Sequence, residues 1–163
     1  MTSACSGNNT VLVCGGAGYI GSHAVRALRK HGYFPVVFDS LEKGCLASLP
    51  ADVPLLRGNL MDPQALRRAF AEYSFSAVFH FAAYIEVGES VTDPERYYRN
   101  NVMGALNLLS AMREADVRSL VFSSTAAVYG DPVAVSIAEN HPLHPVNPYG
   151  RSKLMLEEVM ADY

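Results

Sequence analysis

Short apolar segments alternate with segments of helical periodicity along this chain. The apolar segments lie at residues 11–14, 33–38, 53–57, 76–81 and 120–122. The predicted helices lie at residues 19–31, 63–73, 94–112 and 148–163. Strands that alternate with helices form a parallel sheet, because each right-handed crossover returns the next strand in the same direction. The pattern therefore predicts an α/β fold, a Rossmann-like doubly wound parallel sheet.

Local signals refine this prediction. Segment 76–81 is almost wholly apolar, as a central strand of a parallel sheet should be. Pro54 indicates that the third strand is an edge strand, because proline cannot donate a hydrogen bond to a neighbour. Prolines also mark the start of three predicted helices. Residues 82–93 are predicted to be a loop, and Glu86 and Glu89 are assigned to it.

The chain is long enough for one domain. At 163 residues it can bury roughly 70% of its unfolded surface around a single core. We expect a flexible N-terminus at residues 1–9 and one domain at residues 10–163. Five strands are fewer than the roughly six of a complete doubly wound dinucleotide fold. We therefore expect the sheet to be truncated after the last predicted helix, which carries Tyr149 and Lys153.

The composition argues against several classes of function. Half of the residues are hydrophobic, 18% are charged and the net charge is -3, which favours neither disorder nor nucleic-acid binding. Cys5, Cys14 and Cys45 lack metal-ligand spacing and are predicted to be free thiols of a reducing compartment. The sequence shows neither a signal peptide nor an apolar run of about 18 residues that could cross a membrane. We therefore expect a soluble cytoplasmic protein with no membrane partner and no bound metal.

A glycine-rich segment follows the first predicted strand. Gly15, Gly18 and Gly21 recur every three residues between this strand and the first predicted helix. Such a turn presents backbone N–H groups and the positive end of a helix dipole to a pyrophosphate. The spacing alone is not specific, and an ordinary glycine-rich turn is the alternative. Asp39 favours a dinucleotide, because a carboxylate about 20 residues further on, at the end of the second strand, binds an adenosine ribose.

A second group of polar residues follows the later strands. Tyr149 and Lys153 lie four positions apart on the last predicted helix and therefore share one face. An ammonium beside a phenol favours the phenolate, so Tyr149 could remove a proton from a substrate hydroxyl. Ser124 or Thr125 could complete the hydrogen-bond relay. The alternative, two polar residues on an exposed helix face, is disfavoured by the glycine motif and Asp39.

Five segments of the chain resemble a known family. They are VLVCGGAGYIGSH (11–23), HFAAYIEVGESV (80–91), YYRNNVMGALNLL (97–109), VFSSTAAVYG (121–130) and NPYGRSKLMLE (147–157). On these motifs the chain resembles the extended short-chain dehydrogenase/reductase family and, within it, the UDP-glucose 4-epimerases. The resemblance covers nearly the whole chain after residue 9. It implies a tightly held NAD and inversion of C4 of a UDP-sugar through a 4-keto intermediate.

The resemblance also implies roles for individual residues. The catalytic group would be Thr125, Tyr149 and Lys153, with Thr125 rather than Ser124 as the catalytic hydroxyl. Lys153 would hold the nicotinamide ribose and Asp39 the adenosine ribose. The residues implied in NAD binding are Gly15, Gly18, Tyr19, Ile20, Gly21, Asp39, Asn59, Leu60, Phe81, Ala82, Ala83, Asn100, Tyr149 and Lys153.

Four positions depart from patterns in this family or its relatives. Asn59 stands where aspartate is common, which weakens the assignment of adenine recognition. Ile85 stands where some members carry a lysine that reaches the cofactor phosphates, so we expect that contact to be missing. Ala126 and Ala127 follow Thr125, where related dehydratases carry an aspartate and a glutamate. Neither alanine can transfer a proton, so dehydration is disfavoured.

The expected function is UDP-glucose/UDP-galactose 4-epimerisation, with NAD as cofactor and a UDP-sugar as substrate. The substrate-binding part is expected to be absent from this chain, so the 163 residues alone are expected to be inactive. The full-length enzyme is expected to be a homodimer. Two alternatives stay open: a 4-epimerase of UDP-N-acetylhexosamines or UDP-uronic acids, and an NAD-binding module without catalytic activity. The presence of all three catalytic residues argues against the second alternative.

Overall fold

The structure is a computed structural model that describes residues 9–133 and 136–163. These residues divide into two compact units. The first, which we call the sheet unit, contains the described residues up to Ala82 together with Asn107–Ser123. The second, which we call the helical unit, contains Ala83–Leu106 and the described residues from Ser124 onwards. The predicted flexible segment lies outside the described residues except for Asn9.

A five-stranded parallel sheet forms the core of the sheet unit. Its strands are β1 (Thr10–Cys14), β2 (Phe34–Asp39), β3 (Leu55–Arg57), β4 (Ala77–His80) and β5 (Leu120–Phe122). The strand order is β3-β2-β1-β4-β5, and all neighbouring strands are parallel. This arrangement confirms the predicted α/β, Rossmann-like fold and the edge position of β3.

Aliphatic side chains of α1 (Tyr19–Lys30) pack against the sheet. Val25 and Leu28 of this helix join Val11 and Val37 of the sheet in one buried cluster. Burying an aliphatic side chain of this size stabilises a fold by about 1.5–3 kcal/mol. The face of α1 that packs against the sheet thus includes Val25 and Leu28, whereas the apolar Ile20 of the first turn is 57% exposed.

Helix α2 (Pro63–Glu72) begins with a side-chain cap. The Oδ1 atom of Asp62 accepts hydrogen bonds from the amides of Gln64 and Ala65 at 2.9 and 3.2 Å. These amides have no intrahelical acceptor, so the carboxylate compensates for bonds that the first turn lacks.

The helical unit contains more helix than the sequence indicates. Its elements are α3 (Val87–Thr92), α4 (Pro94–Tyr97), a π-helical segment (Tyr98–Met103), the start of α5 (Gly104–Glu114) and α6 (Pro148–Asp162). The prediction that residues 82–93 form a loop is wrong for α3. The predicted helix at 94–112 consists of α4, the π-helical segment and α5, and the boundary between the two units falls within α5.

A cluster of polar contacts links α3 and α4. The hydroxyl of Tyr97, a fully buried side chain, lies 2.8 Å from Glu89 Oε2 and 2.7 Å from the carbonyl oxygen of Glu86. Burial and the neighbouring Glu89 carboxylate raise the pKa of Tyr97 to about 12. Arg96 pairs with Glu89 at 2.6 Å, and its guanidinium lies 4.4 Å from the ring centre of Tyr84. Glu89 is therefore a structural residue of a helix, which corrects its assignment to a loop.

The structure also describes two of the three cysteines and the lengths of the helices. Cys14 is buried and Cys45 is exposed, and both are free thiols, whereas Cys5 lies outside the described residues. Burial raises the pKa of the Cys14 thiol. Among the described residues, no helix is both long and apolar enough to cross a membrane.

Candidate functional site

The glycine-rich turn after β1 depends on close backbone packing. Gly15 has a φ of 79°, and a Cβ at this position would lie 2.6 Å from the backbone nitrogen of Ala82. A Cβ at Gly21 would lie 2.1 Å from the carbonyl oxygen of Gly15. The amide of Gly18 donates a hydrogen bond to that same carbonyl at 3.1 Å. A larger residue at Gly15 or Gly21 would therefore open the turn.

Helix α1 starts directly after this turn. Its N-cap, Gly18, has no side chain with which to bind the amides of the first turn. These amides, including those of Tyr19 and Ile20, have no acceptor within the helix. The two side chains are 82% and 57% exposed, so this end of the helix borders solvent. Together with the positive end of the helix dipole, the geometry suits a bound anion such as a pyrophosphate.

Asp39 at the end of β2 is connected to the same turn. Its side chain is buried, and its Oδ2 accepts a hydrogen bond from the amide of Ala17 at 2.9 Å. Its Oδ1 accepts one from the amide of Leu41 at 2.8 Å. Each carboxylate oxygen can accept a further hydrogen bond, for example from a ribose hydroxyl. Asp39 thus also holds the glycine turn in place, a role that the sequence did not reveal.

The other predicted cofactor residues of the sheet unit follow β3 and β4. The side-chain oxygen of Asn59 accepts a hydrogen bond from the amide of Met61 at 2.9 Å, and the buried Leu60 follows it. The amide of Phe81 donates to the Cys14 carbonyl at 2.9 Å. Because all strands are parallel, the residues that follow β1, β2, β3 and β4 lie along one edge of the sheet. The sheet unit therefore brings its predicted residues together at its carboxyl edge.

Thr125 begins a short 3₁₀ turn (Ala126–Tyr129) in the helical unit. Its Oγ1 accepts a hydrogen bond from the amide of Ala127 at 3.2 Å. This bond occupies a lone pair of the hydroxyl oxygen, so the O–H can still donate to another group. Helix α6 packs against the 3₁₀ turn. The helical unit thus places the predicted catalytic hydroxyl on a segment in contact with α6.

Helix α6 carries Tyr149 and Lys153 one turn apart. Asn147 caps the helix by accepting a hydrogen bond from the amide of Gly150 at 2.8 Å. Tyr149 is half-buried, whereas Lys153 is only 3% exposed. Burial lowers the pKa of Lys153 to about 8, because it disfavours the charged ammonium. A buried lysine of this kind is typical of functional sites.

Asn101 was not identified from the sequence, although it follows the predicted cofactor residue Asn100. Its side chain is 1% exposed, and its Oδ1 accepts hydrogen bonds from the amide of Tyr84 at 2.9 Å and from Asn100 Nδ2 at 3.0 Å. Its Nδ2 lies 3.1 Å from both the Tyr84 carbonyl oxygen and Ser152 Oγ. Asn101 therefore connects the segment that follows Ala83 with α6.

The predicted site residues fall into two groups, one in each unit. The sheet unit holds the predicted cofactor residues Gly15, Gly18, Tyr19, Ile20, Gly21, Asp39, Asn59, Leu60, Phe81 and Ala82. The helical unit holds Ala83, Asn100, Thr125, Tyr149 and Lys153. One group is suited to an anion and a ribose, and the other to proton transfer.

Comparisons with known proteins find relatives along nearly the whole chain. Residues 11–163 match the family described as the NAD dependent epimerase/dehydratase family. A UDP-glucose 4-epimerase of Rhizobium meliloti is 49% identical over 156 residues, which are 96% of this chain and 47% of that protein.

Two solved structures share the fold. The crystal structure of UDP-glucose 4-epimerase from Brucella ovis in complex with NAD is 45% identical, with a TM-score of 0.92 over 95% of this chain and 47% of that one. The crystal structure of UDP-glucose 4-epimerase from Bifidobacterium longum in complex with NAD+ and UDP is 37% identical. Its TM-score is 0.89, and the match covers 94% of this chain and 48% of that one. This chain spans about half the length of each relative.

Proposed function

Because the chain belongs to the NAD dependent epimerase/dehydratase family, we propose that it is the cofactor-binding part of a UDP-glucose 4-epimerase. The observation that carries this proposal is the pairing of half-buried Tyr149 with buried Lys153 on one face of α6. A protein that only bound NAD would not need this pair, because a buried ammonium costs free energy. The similarity to enzymes named as UDP-glucose 4-epimerases supports the choice of substrate.

The residues of the sheet unit fit a bound NAD. The first-turn amides of Tyr19 and Ile20 would hold the pyrophosphate, since they lack acceptors within α1. Asp39 would accept the hydroxyls of the adenosine ribose while it keeps its bonds to Ala17 and Leu41. The nicotinamide, when bound, supplies a reversible acceptor for the C4 hydride of the sugar.

The residues of the helical unit would move the proton. Tyr149 would take the proton of the C4 hydroxyl and later return it to the C4 oxygen of the inverted sugar. Lys153 would favour the phenolate by its positive charge and bind the nicotinamide ribose. Thr125 would donate its O–H to the reacting oxygen, since its own oxygen already accepts from Ala127. General acid–base catalysis of this kind accelerates proton transfer by about 10²–10⁴-fold.

The two residues that follow Thr125 support epimerisation rather than dehydration. Elimination of water from a 4-keto sugar needs an acid and a base, and the resemblance implies that related dehydratases carry them directly after the catalytic threonine. Ala126 and Ala127 occupy those positions and carry no titratable group. The two alanines therefore favour a reaction that needs only one proton carrier.

A tyrosine substitution tests this proposal. In the full-length protein that carries this sequence, Tyr149→Phe keeps the ring and its packing but removes the proton carrier. We expect turnover of UDP-galactose to UDP-glucose to fall by about 10²-fold or more while NAD binding and folding persist. Turnover is measured by coupled assay and NAD binding by calorimetry. Full activity of Tyr149→Phe would contradict the assignment, and absence of turnover in the unmodified protein would contradict the proposed function.

A further inference from the structure

Glu157 lies on the same face of α6 as the proposed catalytic pair. It follows Lys153 by four residues and Tyr149 by eight, and a helix of 3.6 residues per turn places such residues in one row. Its Oε1 accepts a hydrogen bond from the hydroxyl of Ser124. Hydrogen bonds to a carboxylate are stronger than those between neutral groups.

The partner of this bond directly precedes the proposed catalytic hydroxyl. Ser124 and Thr125 are consecutive, and Thr125 has an extended backbone with a φ of -156° and a ψ of 148°. Its side chain then caps the 3₁₀ turn by accepting from Ala127. The orientation of the Thr125 side chain is therefore fixed by two hydrogen bonds. One is its own bond to Ala127, and the other is the bond of the preceding residue, Ser124, to Glu157.

We propose that Glu157 is a positioning residue that fixes the Thr125 hydroxyl through Ser124, an inference that rests on the proposed function of this group. Proton relays depend on geometry, because a displacement of about 1 Å can cost 10²-fold in rate. Ser124 and Glu157 are both half-buried, so their bond is partly shielded from water. Glu157 acts through Ser124 and transfers no proton itself.

The geometry can be tested on the 163-residue chain without any assay of activity. Hydrogen exchange of the Ala127 amide reports the cap made by Thr125, and exchange of the Gly150 amide reports the unrelated cap made by Asn147. We expect Glu157→Ala to accelerate exchange at Ala127 by about 10-fold and to leave Gly150 unchanged, because only one cap loses its support. Unchanged exchange at Ala127, or equal acceleration at both amides, would overturn the proposal.

Matched variants separate the hydrogen bond from the charge. Glu157→Gln keeps an acceptor for Ser124 and should stay within about 3-fold of the unmodified rate at Ala127. Ser124→Ala should reproduce Glu157→Ala, and the double variant should add nothing further, since both remove the same bond. Glu158→Ala, at the exposed neighbouring position, is the control and should have no effect. Additive effects in the double variant would overturn the proposal.

Turnover of the full-length enzyme gives the second readout. We expect Glu157→Ala to lower kcat by about 10-fold with KM within about 2-fold, since the substrate still binds but the hydroxyl is misplaced. Glu157→Gln should restore most of kcat. An unchanged kcat, or a loss confined to KM, would overturn the positioning role. If the unmodified enzyme has no epimerase activity, the proposed function fails, whereas the exchange rates at Ala127 still decide the inference on Glu157.

Discussion

At the scale of single residues, burial of the charged Lys153 side chain lowers the stability of the folded protein. The side chain is 3% exposed, and its pKa falls from 10.5 to about 8 because burial disfavours the ammonium. Below pH 8 the folded protein keeps this charge largely away from water, which costs free energy. The sequence shows Lys153 at the right spacing from Tyr149, but only the structure shows that it is buried.

The lowered pKa of Lys153 predicts a pH dependence of stability. Between pH 8 and 10.5 the unfolded chain binds more protons at this residue than the folded one, so its contribution to the free energy of unfolding rises with pH. Lys153→Met should remove this rise and increase stability at pH 7 by on the order of 3 kcal/mol. Urea unfolding at pH 7 and pH 10 measures both effects. The exposed Lys43→Met is the control, and an equal pH dependence in the unmodified chain and Lys153→Met would contradict the prediction.

Asp39 predicts the choice between the two nicotinamide cofactors. Its carboxylate would repel a 2′-phosphate, and the next residues, Ser40 and Leu41, supply no positive charge. We expect the chain to bind NAD at least about 10-fold more tightly than NADP. Titration calorimetry of both ligands measures this ratio. Equal affinities would show that Asp39 does not face the ribose.

At the scale of elements, whether a helix or strand can be predicted from the sequence depends on what stabilises it. Strands β1, β2 and β4 and helix α1 are stabilised by apolar burial, which leaves continuous apolar runs in the strands and a helical period in α1. Helix α3 leaves no such pattern, because Val87 and Val91 are 45% and 62% exposed and the side chain that it buries completely is the polar Ser90. The spacing of Glu157 from Tyr149 is visible in the sequence. Its bond to a residue 33 positions away is not, since side-chain contacts at that distance depend on the fold.

The connection between the π-helical segment and α6 gives a prediction at this scale. Asn101→Ala removes the side-chain partners of the Tyr84 backbone and of Ser152, which leaves buried polar groups without those bonds. We expect the free energy of unfolding to fall by about 1–3 kcal/mol. Asn100→Ala, which removes a single half-buried bond, is the comparison and should have a smaller effect. Denaturant unfolding measures both, and equal losses would contradict the role of Asn101.

At the scale of the whole molecule, β1 is the centre of the sheet unit. It pairs with β2 on one side and with β4 on the other, and all of its residues are buried. The sheet and its carboxyl edge could be predicted because they follow from strand alternation. The division into two units could not, since it depends on contacts between residues far apart in sequence.

A core substitution tests the central position of β1. Leu12 is fully buried, so Leu12→Ala should lower the free energy of unfolding by about 2–5 kcal/mol through lost burial and a residual cavity. Leu46→Ala, at a side chain that is 60% exposed, should have an effect below about 0.5 kcal/mol. Urea unfolding with a common m-value compares the two variants. Similar losses would show that β1 is not the core strand.

The strand order also governs what happens while the ribosome makes this chain. β1 ends at Cys14, and β4, its second neighbour, ends only at His80. At about 5–20 residues per second, synthesis of the intervening chain takes roughly 3–13 s. During this time one edge of an apolar strand has no partner, and such edges pair readily with other chains. Chaperone binding to nascent chains should therefore decline once β4 has been synthesised.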